Sequence, residues 1–197
     1  MRGWLEQPAS QLTDHGLACC TGACAWLQAM AASYAFRRTD GTPIAAPTFL
    51  ARRYKWGPNP WPIAWCEAVR ADAIDCGVFS AFARAILSAQ GVECYSAQVM
   101  QLFGPETTAH WRQRWAGRPG AFNWIDNDLV YHEVVIVASG DVAEVFDPSQ
   151  GQWLSPTADT GYGAVVGIRA KCPKSLLWGR HTLSTDQWIL TVPGISW

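Results

Sequence analysis

The segment from Asp75 to Gln90 (DCGVFSAFARAILSAQ) constrains the fold more than any other part of this chain. Its apolar residues recur at the spacing of one helix face, namely at Val78, Phe82, Ala85, Ile86 and Ala89. Asp75 precedes the pattern as an N-cap, and Gly91 follows it as a C-terminal stop. The sequence therefore predicts an amphipathic helix that buries one face against another layer.

Patterns typical of β-strands dominate the chain after this helix. We predict strands over five segments: Val92 to Leu102, Val130 to Ala138, Asp141 to Phe146, Gly163 to Ala170 and Gln187 to Val192. The second and third are rich in β-branched residues and are separated by Ser139-Gly140, which indicates a hairpin. Helices followed by an antiparallel sheet are typical of the α+β class.

The remaining segments complete one domain, because 197 residues with 49% hydrophobic content suffice for a sizeable core. We predict a buried helix from Ala23 to Phe36 and a loop passage from Thr42 to Pro62, where prolines and glycines recur. The irregular, polar stretch from Gly104 to Asp128 indicates a long loop or insertion. The expected organisation is a single domain, with residues 1–60 as a helical and loop extension and residues 61–197 as the core.

Charge and cysteine content narrow the class of protein. A formal net charge of −1 argues against nucleic acid and anionic membranes as partners, since these require clustered Lys and Arg. Residues 1–11 lack an apolar run, so we expect no secretory signal, no membrane span and a cytoplasmic location. The seven cysteines are odd in number and irregularly spaced, which favours reduced thiols. No phosphate-binding loop or dinucleotide motif predicts a cofactor.

Cys76 stands at the first turn of the predicted helix, directly after its cap. The positive end of a helix dipole and its unpaired N–H groups lower the pKa of a thiol and favour the thiolate. The same N–H groups are suited to hold an oxyanion. Cys76 is therefore a candidate nucleophile.

The predicted hairpin brings a histidine and an aspartate together. If Ser139-Gly140 forms a two-residue turn, Ala138 faces Asp141 and His132 faces Asp147. Directly opposed side chains share a face of the sheet, with Cβ atoms ~5 Å apart. A carboxylate at that distance accepts the imidazole N–H, which leaves the other ring nitrogen to take a proton from a thiol.

These residues resemble the transglutaminase-like family of the papain-like cysteine enzymes. The matching pieces are Asp75-Cys76-Gly77 at a helix start, His132 opening a strand, and Val145-Phe146-Asp147-Pro148-Ser149 closing the next. The resemblance implies a core in which the helix bearing the nucleophile packs on an antiparallel sheet. It further implies Cys76 as nucleophile, His132 as general base and acid, and Asp147 as the carboxylate that orients the histidine. A departure is that Glu133-Val134 follows His132, where the family often has a small residue and Trp.

The resemblance implies attack on an amide, peptide or (thio)ester carbonyl through an acyl-thioenzyme, in a peptidase, amidase or acyltransferase. The expected substrate is a peptide or a small acyl or amide compound. The Cys76 N–H would form part of the oxyanion hole, and an upstream Trp N–H supplies a second donor in the family. Candidates for that donor are Trp56, Trp61 and Trp65. The chain holds 12 Trp, some of which are candidates to wall a substrate cleft.

Other interpretations concern the same residue types. Cys24 lies in Cys20-Thr21-Gly22-Ala23-Cys24-Ala25-Trp26, which partly resembles a papain-type signature, so it is a second candidate nucleophile. Cys19, Cys20 and Cys24 near His15 are candidate zinc ligands, but no second Cys-x-x-Cys pair accompanies them. We expect Glu133 to be an exposed strand carboxylate. The alternative function is a non-catalytic module that holds a peptide or an aromatic ligand in its Trp-rich loops.

Overall fold

The computed structural model describes residues 48–59, 63–118, 125–126, 128–139, 142–154, 164–170, 176–178, 181–183 and 189–190. The predicted helix from Ala23 to Phe36, the alternative nucleophile Cys24 and the candidate zinc ligands His15, Cys19 and Cys20 lie outside the described residues. So does Trp61.

The helices and strands follow one another along the chain. The helices are α1 (Phe49–Arg53), α2 (Trp65–Arg70), α3 (Cys76–Ala89) and α4 (Pro105–Arg114). The strands are β1 (Lys55–Trp56), β2 (Ala73–Ile74), β3 (Cys94–Leu102), β4 (Ile125–Asp126), β5 (Leu129–Ser139), β6 (Val142–Asp147), β7 (Gln152–Leu154), β8 (Ala164–Ala170), β9 (Leu176–Trp178), β10 (His181–Leu183) and β11 (Ile189–Leu190).

The main sheet has seven strands in the order β11-β8-β3-β5-β6-β7, with β4 paired to β5. Every pairing in it is antiparallel. Strands β1 and β2 form a separate parallel pair, and β9 and β10 an antiparallel one. Helices combined with an antiparallel sheet give the predicted α+β class.

Helix α3 begins and ends where its sequence signals stand. The Asp75 side chain accepts the Val78 N–H at 3.0 Å, which caps the first turn. Gly91 follows the helix with φ +73°, a backbone conformation that is strained for residues with a side chain. Val78, Phe82 and Ile86 are buried as predicted, whereas Ala85 is partly buried and Ala89 exposed. Phe79, Ala83 and Leu87 are also buried, so the apolar face is wider than the pattern predicted.

The buried face of α3 packs on the middle of the sheet. It forms one apolar cluster with Val135, Val137 and Phe146 of strands β5 and β6. Residues of alternate position, such as Val134, Ile136 and Val145, belong to a second cluster. Because successive side chains of a strand point to opposite faces, the sheet is apolar on both sides. Helix α3, whose first residue is Cys76, is thereby held against β5.

The hairpin of β5 and β6 exists as predicted, but its register is offset by two residues. Ala138 pairs with Ala143 rather than with Asp141, and the ladder ends at Ser139 and Val142. The sequence offers two overlapping turn dipeptides, Ser139-Gly140 and Gly140-Asp141, and both are compatible with a tight turn. An offset of two keeps every side chain on its predicted face, because the strand repeat is two residues.

The segment predicted as a long loop from Gly104 to Asp128 contains helix α4, so that prediction is wrong. The helix lacks apolar periodicity, which is the main sequence signal of an amphipathic helix. Its ends carry the expected signals instead: Pro105 stands at the start, and Arg112 and Arg114 lie in the last turn. Trp115, which follows the helix, is only 8% exposed.

The predicted loop passage from Thr42 to Pro62 contains only short regular elements where it is described, namely α1 and β1. Strands β3, β8 and β11 fall within the segments predicted for them. Among the helices of the described residues, none has the length and apolar character needed to cross a membrane.

Candidate active site

Cys76 is the first residue of α3 and follows the cap formed by Asp75. His132 lowers the pKa of the Cys76 thiol through a hydrogen bond and its charge, which places the two side chains beside each other. The contact joins the start of the helix to strand β5, which is the juxtaposition that the sequence predicted. Cys76 is partly exposed as a residue although its thiol is buried, and two other reduced cysteines of the described chain, Cys66 and Cys94, are also partly exposed.

His132 and Asp147 meet across the hairpin, but along a diagonal rather than directly. The pair Val135 and Phe146 sets the register, so the next position places Val134 opposite Asp147. The His132 Nε2–H nevertheless donates to Asp147 Oδ2 at 2.8 Å. Diagonal neighbours on one face lie within reach of side chains as long as histidine. The two residues are 7% and 2% exposed, so the ion pair is shielded from water.

Ser149 holds the other oxygen of the Asp147 carboxylate. Its hydroxyl donates to Asp147 Oδ1 at 2.7 Å, and its backbone N–H donates to the same atom at 2.9 Å. The Gln150 N–H adds a longer contact at 3.3 Å. A carboxylate that accepts several N–H and O–H donors is fixed in orientation. Asp147 therefore presents Oδ2 to His132 in one position.

Gly151 closes the turn that carries these groups. Its N–H donates to the Asp147 carbonyl at 2.8 Å, and its φ is +68°. A Cβ at this position would stand 3.2 Å from the Thr48 carbonyl oxygen and 3.3 Å from the Ala51 Cβ. The turn therefore needs glycine both for its backbone conformation and for its close approach to α1.

The pKa values of the His132 and Asp147 pair move apart. Burial lowers the pKa of His132, but the Asp147 charge and hydrogen bond outweigh it and hold that pKa well above its ordinary value. Burial raises the pKa of Asp147, yet the His132 charge and the His132 and Ser149 hydrogen bonds bring it below its ordinary value. Both shifts favour an imidazolium paired with a carboxylate.

The pKa of the Cys76 thiol is raised, whereas the sequence predicted that it would be lowered. Burial raises it, and the hydrogen bond and charge of His132 oppose that rise without cancelling it. The negative charges of Asp75 and Glu133 add to the increase. The helix terminus alone predicted a lowered thiol pKa, which is wrong because desolvation of the thiolate is the larger effect.

A cavity of about 210 Å³ opens beside the histidine and the aspartate. It is lined by Trp56, Gln101, Phe103, Trp111, Arg114, Trp115, Val130, Tyr131, His132, Asp147, Ser149 and Gln150. Apart from the polar groups at His132, Asp147 and Ser149, much of its wall is aromatic. Ligand pockets in proteins commonly combine such walls with a few convergent polar groups.

The three tryptophans proposed as oxyanion donors are placed differently. Trp56 lines the cavity together with His132. Trp65 instead stacks on Phe82 in the core, with ring centroids 4.8 Å apart and an interplanar angle of 24°. Trp61 lies outside the described residues. Only Trp56 is therefore placed near the histidine among the candidates that the structure describes.

Glu133 is buried at 4% exposure, so the expectation of an exposed strand carboxylate is wrong. It pairs across β5 and β3 with Gln98, which pairs in turn with Arg169 of β8. Arg169 Nε–H donates to Gln98 Oε1 at 2.7 Å, and the Tyr131 hydroxyl donates to Glu133. The missed signal is strand alternation, since Glu133 shares its face with the buried residues Val135 and Val137.

Within the described ranges no group of three His, Cys, Asp or Glu side chains is arranged to hold a metal ion. No family model matches the chain, and neither a curated protein nor a solved structure shows a significant match to it.

Proposed function

We propose that this protein is a cysteine-dependent hydrolase or acyltransferase acting on an amide, peptide or (thio)ester carbonyl. The observation that carries the proposal is the hydrogen-bonded pair of His132 and Asp147, held by Ser149, beside a Cys76 thiol whose pKa responds to His132. Three side chains distant in sequence meet in the order nucleophile, base and orienting carboxylate.

The first chemical step begins with the thiol proton. Asp147 engages Nε2 of His132, so Nδ1 of the neutral imidazole is the nitrogen assigned to accept the proton from Cys76, and turnover is expected above the raised pKa of His132. The resulting thiolate attacks the substrate carbonyl carbon, and a bond forms between sulfur and carbon. Asp147 stabilises the imidazolium through the charge that raises the pKa of His132.

The second step releases the leaving group and then resolves the acyl-enzyme. His132 returns its proton to the departing amine, alcohol or thiol as the tetrahedral intermediate collapses. Water or an acceptor amine then attacks the thioester, with His132 again taking the proton, and Cys76 leaves as the thiol. Hydrolysis gives an acid, and transfer to an amine gives a new amide.

The developing oxyanion needs donors near the start of α3. The Cys76 backbone N–H is one of the unpaired donors of the first turn and is assigned to this role. Of the tryptophans considered, Trp56 is the best placed to supply a second donor, since it lines the cavity that contains His132.

The arrangement also supports a transglutaminase-like core as part of the proposal. The supporting features are the order Cys76, His132, Asp147 along the chain, the packing of α3 on the antiparallel sheet, and the ending Asp147-Pro148-Ser149. The sequence departs from the family after His132. We infer a peptide or small acyl compound as substrate and a cytoplasmic location, both from the sequence.

A non-catalytic binding module is the second candidate, because the pKa of the Cys76 thiol is raised by burial. A thiol that remains protonated is a poor nucleophile. The aromatic cavity would then hold a ligand without chemistry. The two candidates differ in one measurable respect, which is whether Cys76 forms a covalent adduct.

The test is acylation by N-acetylcysteamine thioesters, 4-nitrophenyl esters and short peptides, followed by peptide mapping with mass spectrometry. We expect an acyl adduct on Cys76 and a loss of about 10⁴-fold or more in turnover for Cys76→Ala. Cys94→Ser is the matched control, because Cys94 is a reduced cysteine that contacts Ser88 rather than the site. Full turnover by Cys76→Ala would refute the enzyme proposal.

A further inference from the structure

The aromatic side chains around the cavity are ordered by contacts with one another. Trp56 and Trp115 meet edge to face, with ring centroids 5.8 Å apart and an interplanar angle of 70°. Phe103 and Trp111 form a second such pair at 4.7 Å and 68°. All four rings line the cavity that contains His132. Rings fixed in this way form a preorganised wall, which is suited to another ring.

One polar atom of this wall has no hydrogen-bond partner among the described residues. Trp115 is 8% exposed, and its indole Nε1–H is buried without a hydrogen bond. Buried donors are nearly always paired, because an unpaired one destabilises the fold. An acceptor oxygen on a bound molecule, after a small shift of the ring, would satisfy this donor.

The charges near the wall select against a cationic occupant. The Arg114 and Arg118 guanidinium groups lie 5.0 Å and 5.3 Å from the centroid of the Trp115 ring. The Asp147 carboxylate is already engaged by His132 and Ser149. A neutral or anionic group therefore fits better than an ammonium group.

We propose that the cavity beside His132 binds an aromatic acyl group, so that aryl-acyl compounds are the preferred acyl donors. This inference rests on the proposed function, which it makes specific. The cavity, of about 210 Å³, has room for a ring and its short linker to the reacting carbonyl. Attack by the Cys76 thiolate forms a sulfur–carbon bond and expels the donor's thiol, which takes its proton from His132. Water then releases the aryl acid and restores the Cys76 thiol.

The experiment compares three N-acetylcysteamine thioesters, with acetyl, cyclohexylacetyl and phenylacetyl groups. We expect kcat/KM to be higher for phenylacetyl than for acetyl by about tenfold or more, because a ring is buried. It should exceed the cyclohexylacetyl value by about fivefold, because ring–ring contacts add to burial. Equal values for the two six-membered rings would overturn the inference, while acetylation of Cys76 by the acetyl donor would leave the proposed function standing. Absence of any Cys76 adduct with all three donors would refute both.

Variants of the wall provide the second part of the test. Trp115→Leu should reduce the preference for phenylacetyl to nearly none, and Trp115→Phe, which keeps a ring without the N–H, should fall between. Trp153→Leu is the matched control, since Trp153 contacts Phe146 outside the cavity. If Trp115→Leu fails to fold, the partly exposed Trp111→Leu tests the same wall. An unchanged donor preference in the folded wall variants would overturn the inference.

Discussion

The Asp147 carboxylate determines which nitrogen of His132 remains for the Cys76 thiol. Oδ2 accepts the Nε2–H at 2.8 Å, and Oδ1 is held by Ser149. Replacing this acceptor with an amide allows the ring to present the wrong tautomer to the thiol.

We therefore expect Asp147→Asn to lower kcat by about 10³- to 10⁴-fold while the fold is retained. The measurement is steady-state turnover of an acyl donor, with circular dichroism to confirm folding. Gln152→Asn, a change in strand β7 beside the same turn, serves as control. An increase in KM with kcat unchanged would contradict the orienting role.

The same pair makes stability depend on pH in two directions. Asp147 has a lowered pKa, so its contribution is complete above its unfolded pKa of about 4 and is lost as pH falls through its folded pKa. His132 has a raised pKa, so its contribution is complete below about 6.5 and is lost as pH rises through its folded pKa.

We expect the contribution of this pair to the free energy of unfolding, measured by urea unfolding, to be largest between about pH 4 and pH 6.5. In Asp147→Asn, burial lowers the pKa of His132 and only its contacts with Cys76 oppose that effect, so stability should instead increase toward pH 6.5. Identical pH profiles for the wild type and the variant would show that the pair does not titrate as described.

At the scale of secondary structure, Asp75 has two separable effects at the start of α3. Its side chain caps the helix through the Val78 N–H, and its charge raises the pKa of Cys76. Asparagine retains the cap without the charge, whereas alanine removes both.

We expect Asp75→Ala to lower the free energy of unfolding by about 1 kcal/mol and Asp75→Asn to change it by a few tenths. Both variants should lower the thiol pKa, measured from the pH dependence of iodoacetamide labelling at Cys76. A labelling profile that does not move in either variant would contradict the charge effect.

Sequence patterns predicted the elements best where both ends and the face of an element carried signals. Helix α3 had a cap, an apolar face and a terminal glycine, and its bounds agree with the prediction. Helix α4 had no apolar face, so periodicity missed it although Pro105 marked its start. The hairpin was predicted with the correct faces and a register wrong by two residues, because overlapping turn dipeptides do not locate the turn.

The site followed the same division. The meeting of His132 with Asp147 was predictable because strand periodicity places both side chains on one face of the hairpin, whereas the approach of Cys76 to His132 was expected from the resemblance to a known family. The sign of the Cys76 pKa shift was not, since burial arises from packing across several elements. The burial of Glu133 was available from strand alternation, provided that β5 was recognised as an interior strand.

At the scale of the whole molecule, three strands share one buried polar row. Arg169, Gln98 and Glu133 are 2%, 1% and 4% exposed. Removing one member of such a row leaves the others buried with a lost partner, which costs more than the pairing itself contributes.

We expect Arg169→Met to lower the free energy of unfolding by about 3 kcal/mol, because Gln98 loses its donor and the row that contains the buried Glu133 loses its cation. Arg70→Met, at an exposed arginine of α2, should stay within about 0.5 kcal/mol. The double variant Arg169→Met with Glu133→Gln should recover part of the loss in urea unfolding. A loss no larger than that of the exposed control would contradict the coupling of the row.

The close approach of Gly151 to Thr48 and Ala51 connects the turn that carries Asp147 to helix α1, far upstream in the chain. Displacing that helix, by deletion or by a bound molecule, removes the support on which the Asp147 turn rests. The His132 imidazole would then lose its alignment with the Asp147 carboxylate. A change at α1 would therefore alter the hydrogen bond between these two residues without any direct contact to His132.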